Sequence, residues 1–235
     1  MCFSAGASFT AGAVISGVGI ATLREVRDPS QKLFAAIPLL FGLQQIAEGC
    51  VWLALQNPEM VLLRKIFTLI FLLAADVLWP VMIPLSLRVM EENPGRKKAI
   101  GIFLIAGIIL SLYYAFFLVF FRVLPEIASC HIYYRTASPG SIMLPAFLLY
   151  LAVTIVPLMI SSVRHMWIIG IIMFVGCVVS VIFYRLNVTS VWCFFAAVIS
   201  MIIFLLVRRM NGSEPNPRES VTHQTNDFQL FFNKR

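Results

Sequence analysis

Charge is what this sequence has least of. Asp, Glu, Lys and Arg make up 12% of its 235 residues, about half of the roughly 25% usual for a soluble domain. That scarcity excludes a soluble globular enzyme. Disorder is excluded over most of the chain as well, because 60% of the residues are hydrophobic and disordered segments are poor in such residues. Chemistry-bearing residues are also few. There are three histidines and five cysteines, with no CxxC pair and no Cys/His cluster at zinc spacing, so no cofactor or metal is identified. Cys50, Cys177 and Cys193 read as small buried hydrophobes. Cys2 and Cys130 fall on one side of the membrane, where a bridge between them is possible but not fixed by sequence. Residues 1–23 contain no Lys or Arg. The basic start of a signal peptide is therefore missing, and the first apolar run reads as a helix of the mature protein.

Long hydrophobic runs are what the chain has in abundance. A bilayer core about 30 Å thick takes about 20 mostly apolar residues in a helix. Seven runs meet that pattern: 3–23, 33–56, 66–87, 99–121, 139–162, 166–184 and 190–207. They are continuously apolar rather than alternating, which selects helices over a barrel. The expected fold is an all-α polytopic transmembrane bundle over residues 1–210, followed by a polar tail, 211–235, read as disordered. Small residues recur every four positions in the first run, as Ser8, Gly12 and Ser16 and as Ala13, Gly17 and Ala21. Such stripes let helix backbones approach closely.

The basic residues orient the bundle. Thirteen of the 18 fall on one face, including Arg24, Arg27, Lys32, Arg96, Lys97, Lys98 and those of the tail. The other face holds Arg64, Lys65, Arg122, Arg135 and Arg185. The positive-inside rule places the richer face in the cytoplasm and the N-terminus outside. The net charge of +7 thus reports topology, and no concentrated basic face points to nucleic acid. The lipid bilayer is the expected partner.

Two acids fall inside the runs. Glu48 and Asp76 lie where an ionisable side chain costs at least about 2.5–3.5 kcal/mol and is a functional candidate by default. No Lys or Arg lies within a run to pair with either. Gln44, Gln45 and Glu48 stand three and four residues apart, on one helix face, and Trp52 continues that face one turn outward. Asp76 precedes Trp79-Pro80. Proline at 80 frees the carbonyl of Asp76 from its helical bond, a usual device for building a polar pocket at membrane depth. At 1.5 Å per residue, Glu48 lies about 12 Å and Asp76 about 15 Å from the outer ends of their helices. Both are expected to line one outward-facing pocket. Ser4 at the outer end of the first run, and His131 in the outer loop 122–138, are candidates to complete it. The bland alternative is protonated acids serving as interhelical glue with Gln44 and Gln45.

Met1-Cys2-Phe3-Ser4-Ala5, the segment Ile37-Pro38-Leu39-Leu40-Phe41-Gly42 with Gln44-Gln45 and Glu48-Gly49, and Trp79-Pro80 carry a resemblance. The first 90 residues or so are similar to a family of uncharacterised bacterial membrane proteins whose members open with MCFSA. The resemblance implies a multi-span protein of the bacterial inner membrane and no particular activity. Seven spans with an outer N-terminus also resemble the alkaline-ceramidase-like hydrolases. There Asp76 could correspond, but the second run carries Gln44 and Glu48 instead of the family's residues, and the seventh carries no histidine. Three classes of function follow. The first is binding or transport of a small molecule, cation or proton at Glu48 and Asp76. The second is a membrane-embedded, possibly metal-dependent, lipid hydrolase or transferase. The third is a structural or partner-binding role.

Overall fold

The computed structural model describes residues 4–128, 131–136, 140–183 and 188–212. They form an all-helical body with one β-hairpin. Helix α1 (Ala5–Glu25) starts at Ser4, whose hydroxyl accepts from the Ala7 N–H at 3.2 Å, satisfying one of the donors orphaned at a helix start. A 3-10 turn (Pro29–Gln31) follows, capped by Asp28, which accepts from the Ser30 N–H and hydroxyl. These bonds hold the exposed Asp28 carboxyl below its ordinary value. Helix α2 (Lys32–Ala35) leads into α3 (Ile37–Gln56), with Pro38 in the first turn, where its missing N–H is no loss.

Helices α4 (Val61–Leu72) and α5 (Trp79–Met90) make one rod, joined by a π-helical segment, Leu73–Leu78. Helix α6 (Pro94–Phe120) begins five residues earlier than its apolar run. Asn93 caps it by accepting from the Gly95 and Arg96 N–H groups, with Pro94 in the first turn. The segment expected to be an outer loop instead forms strands β1 (Val123–Ala128) and β2 (His131–Thr136), antiparallel, with Pro125 opposite Tyr134 and Ile127 opposite Ile132. Alternation explains it: Val123, Pro125 and Ile127 on β1 meet Ile132 and Tyr134 on β2, all on one face. Helices α7 (Gly140–Ile160), α8 (Met166–Phe183) and α9 (Val188–Gly212) complete the body.

In sequence order, neighbouring rods pack on one another, and α9 returns to α1. Each of the seven apolar runs falls on one rod. Four of these, Ala5–Glu25, Pro29–Gln56, Val61–Met90 and Pro94–Phe120, are long and apolar enough to cross a membrane. Leu144–Ile160 and Met166–Ser180 are shorter apolar helices. The largest core cluster includes Ile15 of α1, Phe41 of α3, Trp79 and Leu87 of α5, Leu158 of α7, Met173 of α8 and Ile203 of α9. Its exterior is studded with exposed Leu, Ile, Val and Phe, such as Ile102, Leu112 and Val119. Apolar side chains inside and outside are the mark of helices solvated by lipid.

One of the two small-residue stripes of α1 does the close packing. A Cβ on Gly12 would stand 2.7 Å from Ile46 Cγ1 and 3.0 Å from the Gly42 carbonyl. Gly19 meets the backbone of Leu39, and Gly49 meets the ring of Phe9. Gly17, on the second stripe, has open space around it. Asn211, assigned to the tail by composition, lies within α9 and donates to the Glu25 carbonyl at 2.9 Å and to Gln31 Oε1 at 3.1 Å. The tail beyond Gly212, and the candidate Cys2–Cys130 bridge, lie outside the described residues. Cys50 and Cys177 are free thiols.

Candidate functional site

Glu48 sits in the interior of α3, where every nearby backbone N–H serves the helix itself, so only side chains can reach its carboxyl. It is completely buried. Its Oε2 accepts from Gln45 Nε2 at 2.9 Å, and Gln45 is itself 1% exposed. Gln44, on the same face by spacing, turns elsewhere: its Oε1 accepts from the indole N–H of Trp79 at 2.7 Å. That bond ties α3 to α5 directly below the polar cluster. The Trp79 ring packs on Phe41 with centroids 4.0 Å apart and so joins the main core.

Asp76 falls within the π-helical segment, in the position expected from Pro80. The freed backbone is taken up by neighbours. Ser111 of α6 donates to the Val77 carbonyl at 2.7 Å, and Tyr150 of α7 donates to the Ala75 carbonyl at 2.7 Å. Gly107 of α6 leaves room for the Pro80 carbonyl, which a Cβ there would strike. Ala47 of α3 and Ala75 pack in one small cluster with Phe71 and Leu72. With the Gln44–Trp79 bond one turn away, the two antiparallel rods are in a register that brings Glu48 and Asp76 to the same level. Asp76 is only half-buried where Glu48 is fully so.

The hairpin covers this level from the side of the C-terminal end of α3. Ile132 is 1% exposed and packs with Val51 and Trp52 of α3. Tyr134 stacks on Phe71, centroids 5.0 Å apart and planes 20° from parallel, and packs against the cluster of Ala47 and Ala75. Trp52 is buried, and its indole N–H has no hydrogen-bond acceptor among the described residues. Ser8 of α1 is also fully buried with an unbonded hydroxyl. It lies beside Phe9, whose ring meets Gly49, and so within one helical turn of the level of Glu48.

The structure therefore groups Gln45 and Glu48, ties Gln44 to Trp79, and places Asp76 level with them under a lid that Trp52 supports. Ser4 is not drawn in: it is exposed, and its hydroxyl caps α1. His131 opens β2 opposite Ala128, and its side chain lies outside the described residues. Among the described residues, no three of His, Cys, Asp and Glu converge as a metal site. The expected proline effect is present in an altered form, since a π-helical turn rather than a simple kink releases the carbonyls.

A family model described as a family of unknown function (DUF6629) matches residues 1–218. The chain belongs to that family. No curated protein and no solved structure matches it. What a DUF6629 chain does must accordingly be argued from its own residues.

One residue that the sequence did not single out is Glu91, just past the end of α5. It is 1% exposed. Its carboxylate accepts from the Ser162 N–H at 2.7 Å, the Ser161 hydroxyl at 3.0 Å, the Asn93 N–H at 3.1 Å and the Ser162 hydroxyl. It thereby clasps the α5–α6 turn to the end of α7. Burial pushes its pKa up, but the bonds from Ser162, Asn93 and Ser161 outweigh burial and hold it below the ordinary 4.5. A charge at a span end reads as ordinary in sequence, and only the fold shows what surrounds it.

Proposed function

We propose that this DUF6629 protein is a multi-pass membrane protein of seven spans, with its N-terminus outside and its C-terminus in the cytoplasm. In this reading it takes up a small cation or a proton at Glu48 and Asp76. The observation that carries the reading is the complete burial of the Glu48 carboxyl in the interior of an apolar helix, beside the neutral amide of Gln45. Burial of a carboxyl at that depth is costly and is usually retained for function. Asp76 at the same level, on a segment whose helix is locally unwound, supplies a second acid. The hairpin residues Ile132 and Tyr134 close the outer end, so exchange with the outside requires the hairpin to lift. The bacterial inner membrane fits the resemblance of the opening residues.

The test is uptake of protons and of Na⁺ into proteoliposomes under an imposed gradient of each, read alongside Trp fluorescence, for which Trp79 is adjacent to the cluster. Wild type is expected to respond to one of the two ions. Glu48→Gln is expected to abolish the response and Asp76→Asn to weaken it at least tenfold. Folded variants that both respond like wild type overturn the reading.

A further inference from the structure

A second polar feature lies away from Glu48, on the outside of the bundle. A groove of about 370 Å³ runs between the first half of α4 and the junction of α6 with β1. Arg64, Lys65 and Arg122 line it, and none of its lining residues is acidic. No ion pair or hydrogen bond engages these three side chains among the described residues. Three like charges in one groove repel one another, and such an arrangement suits an anion.

Thr68 provides the independent observation. It lines the same groove, one turn along α4 from Arg64, and is 3% exposed, yet its hydroxyl has no partner. Four other buried hydroxyls on the helices return a bond to the carbonyl four residues back, Thr22 to Val18, Thr154 to Tyr150, Ser180 to Gly176 and Ser200 to Ala196, whereas Ser8, like Thr68, has no partner among the described residues. Thr68 leaves an unpaired, buried hydroxyl in the wall of a cationic groove. The groove's remaining wall is apolar. Leu69 and Phe121 are 41% and 39% exposed and continue into the exposed hydrocarbon surface of α4 and α6. Cations and a hydroxyl at one end, with apolar side chains running away from them, match a phosphate joined to acyl chains rather than a free ion.

We propose that this groove binds an anionic glycerophospholipid, its phosphate held by Arg64, Lys65, Arg122 and the Thr68 hydroxyl, and its chains laid against Leu69 and Phe121. The site is separate from the Glu48 cluster. It requires that these helices lie in a bilayer but not that Glu48 carries a ligand.

Binding of phosphatidylglycerol and of phosphatidylcholine to the purified full chain, measured by native mass spectrometry, tests it. Wild type is expected to prefer phosphatidylglycerol. Each cation removed, as Arg64→Gln, Lys65→Gln or Arg122→Gln, should weaken that binding about fivefold, the scale of a basic side chain at an anionic membrane surface. Thr68→Val should weaken it several-fold while Thr68→Ser keeps it, and these single variants carry the test if neutralising all three cations together prevents folding. Lys97→Gln with Lys98→Gln, at the opposite end of α6, should leave it unchanged. Glu48→Gln should also leave it unchanged, so failure here and failure of the ion-uptake reading are told apart. The proposal is overturned if neutralising the groove has no more effect than neutralising Lys97 and Lys98. It is overturned equally if inorganic phosphate displaces the lipid at matched concentration, which would make the groove a site for free phosphate.

Discussion

Glu48 and Glu91 are 0% and 1% exposed, but the chain surrounds them in different ways. Glu91 lies past a helix end, where backbone N–H groups of Asn93 and Ser162 are not consumed by a helix and can point at its carboxylate. Hydrogen bonds of this kind favour the ionised form, and the carboxylate becomes a clasp between two turns. Glu48 lies inside a helix, where backbone donors are already used, and the side chain of Gln45 one turn back donates to it. The difference teaches that burial alone does not mark a functional acid. What separates the two is whether free backbone donors are at hand to make the charge structural.

The largest effect expected from this contrast is on Glu91. Truncation by Glu91→Ala leaves the N–H groups of Asn93 and Ser162 without their acceptor in a buried place. Unsatisfied buried donors cost about 1–3 kcal/mol each, so a loss of about 3 kcal/mol is expected in a denaturant titration of the detergent-solubilised protein. A loss below about 1 kcal/mol would show that the clasp is not structural and would remove one side of the comparison.

Acid should act through the same residue. The Glu91 carboxyl is held below its ordinary 4.5 in the folded chain, so its stabilisation is fully present above about that pH. The stabilisation is lost as pH falls through the folded value. Unfolding measured from pH 6 downward through the acid range should show a loss of stability in wild type that Glu91→Gln lacks. An identical acid profile in both would mean that another carboxyl governs the transition.

Much of this arrangement is legible in the sequence. The apolar runs located every rod, and Glu48, Gln45 and Asp76 stood out because an acid or amide is conspicuous against lipid-facing residues. Proline at 80 announced an irregular backbone near Asp76. Three things were hidden. The π-helical form of that irregularity depends on Ser111 and Tyr150, donors from rods 34 and 75 residues away in sequence. The hairpin was masked because a short alternating pattern between two long apolar runs looks like a loop until Ile132 and Tyr134 are seen to pack inward. Glu91 was hidden because three of its four donors come from Ser161 and Ser162, about 70 residues further along the chain.

The π-helical segment offers a smaller test on the Glu48 side. Ser111→Ala and Tyr150→Phe each remove one hydrogen bond to a carbonyl of that segment. A loss of about 1 kcal/mol is expected for each, read by the same titration. If the segment relaxes to a regular α-helix instead, the change in stability should be near zero, and the ion response of the Glu48 cluster should change with it. That result would separate the backbone's contribution to the site from that of its carboxyls.

The smallest expected effect on stability is that of Glu48→Gln, and it is the sharpest test of the contrast. The replacement keeps the shape, and its amide oxygen can still accept from Gln45. Side-chain hydrogen bonds between membrane helices average only about 0.6 kcal/mol, so the fold should change by no more than about that amount while ion uptake is lost. Stability and function would then part company at Glu48, whereas at Glu91 only stability is at stake. A Glu48→Gln protein destabilised as strongly as Glu91→Ala would place the two glutamates in one class, both as structural acids, and the case for a binding site between α3 and the π-helical segment would go with it.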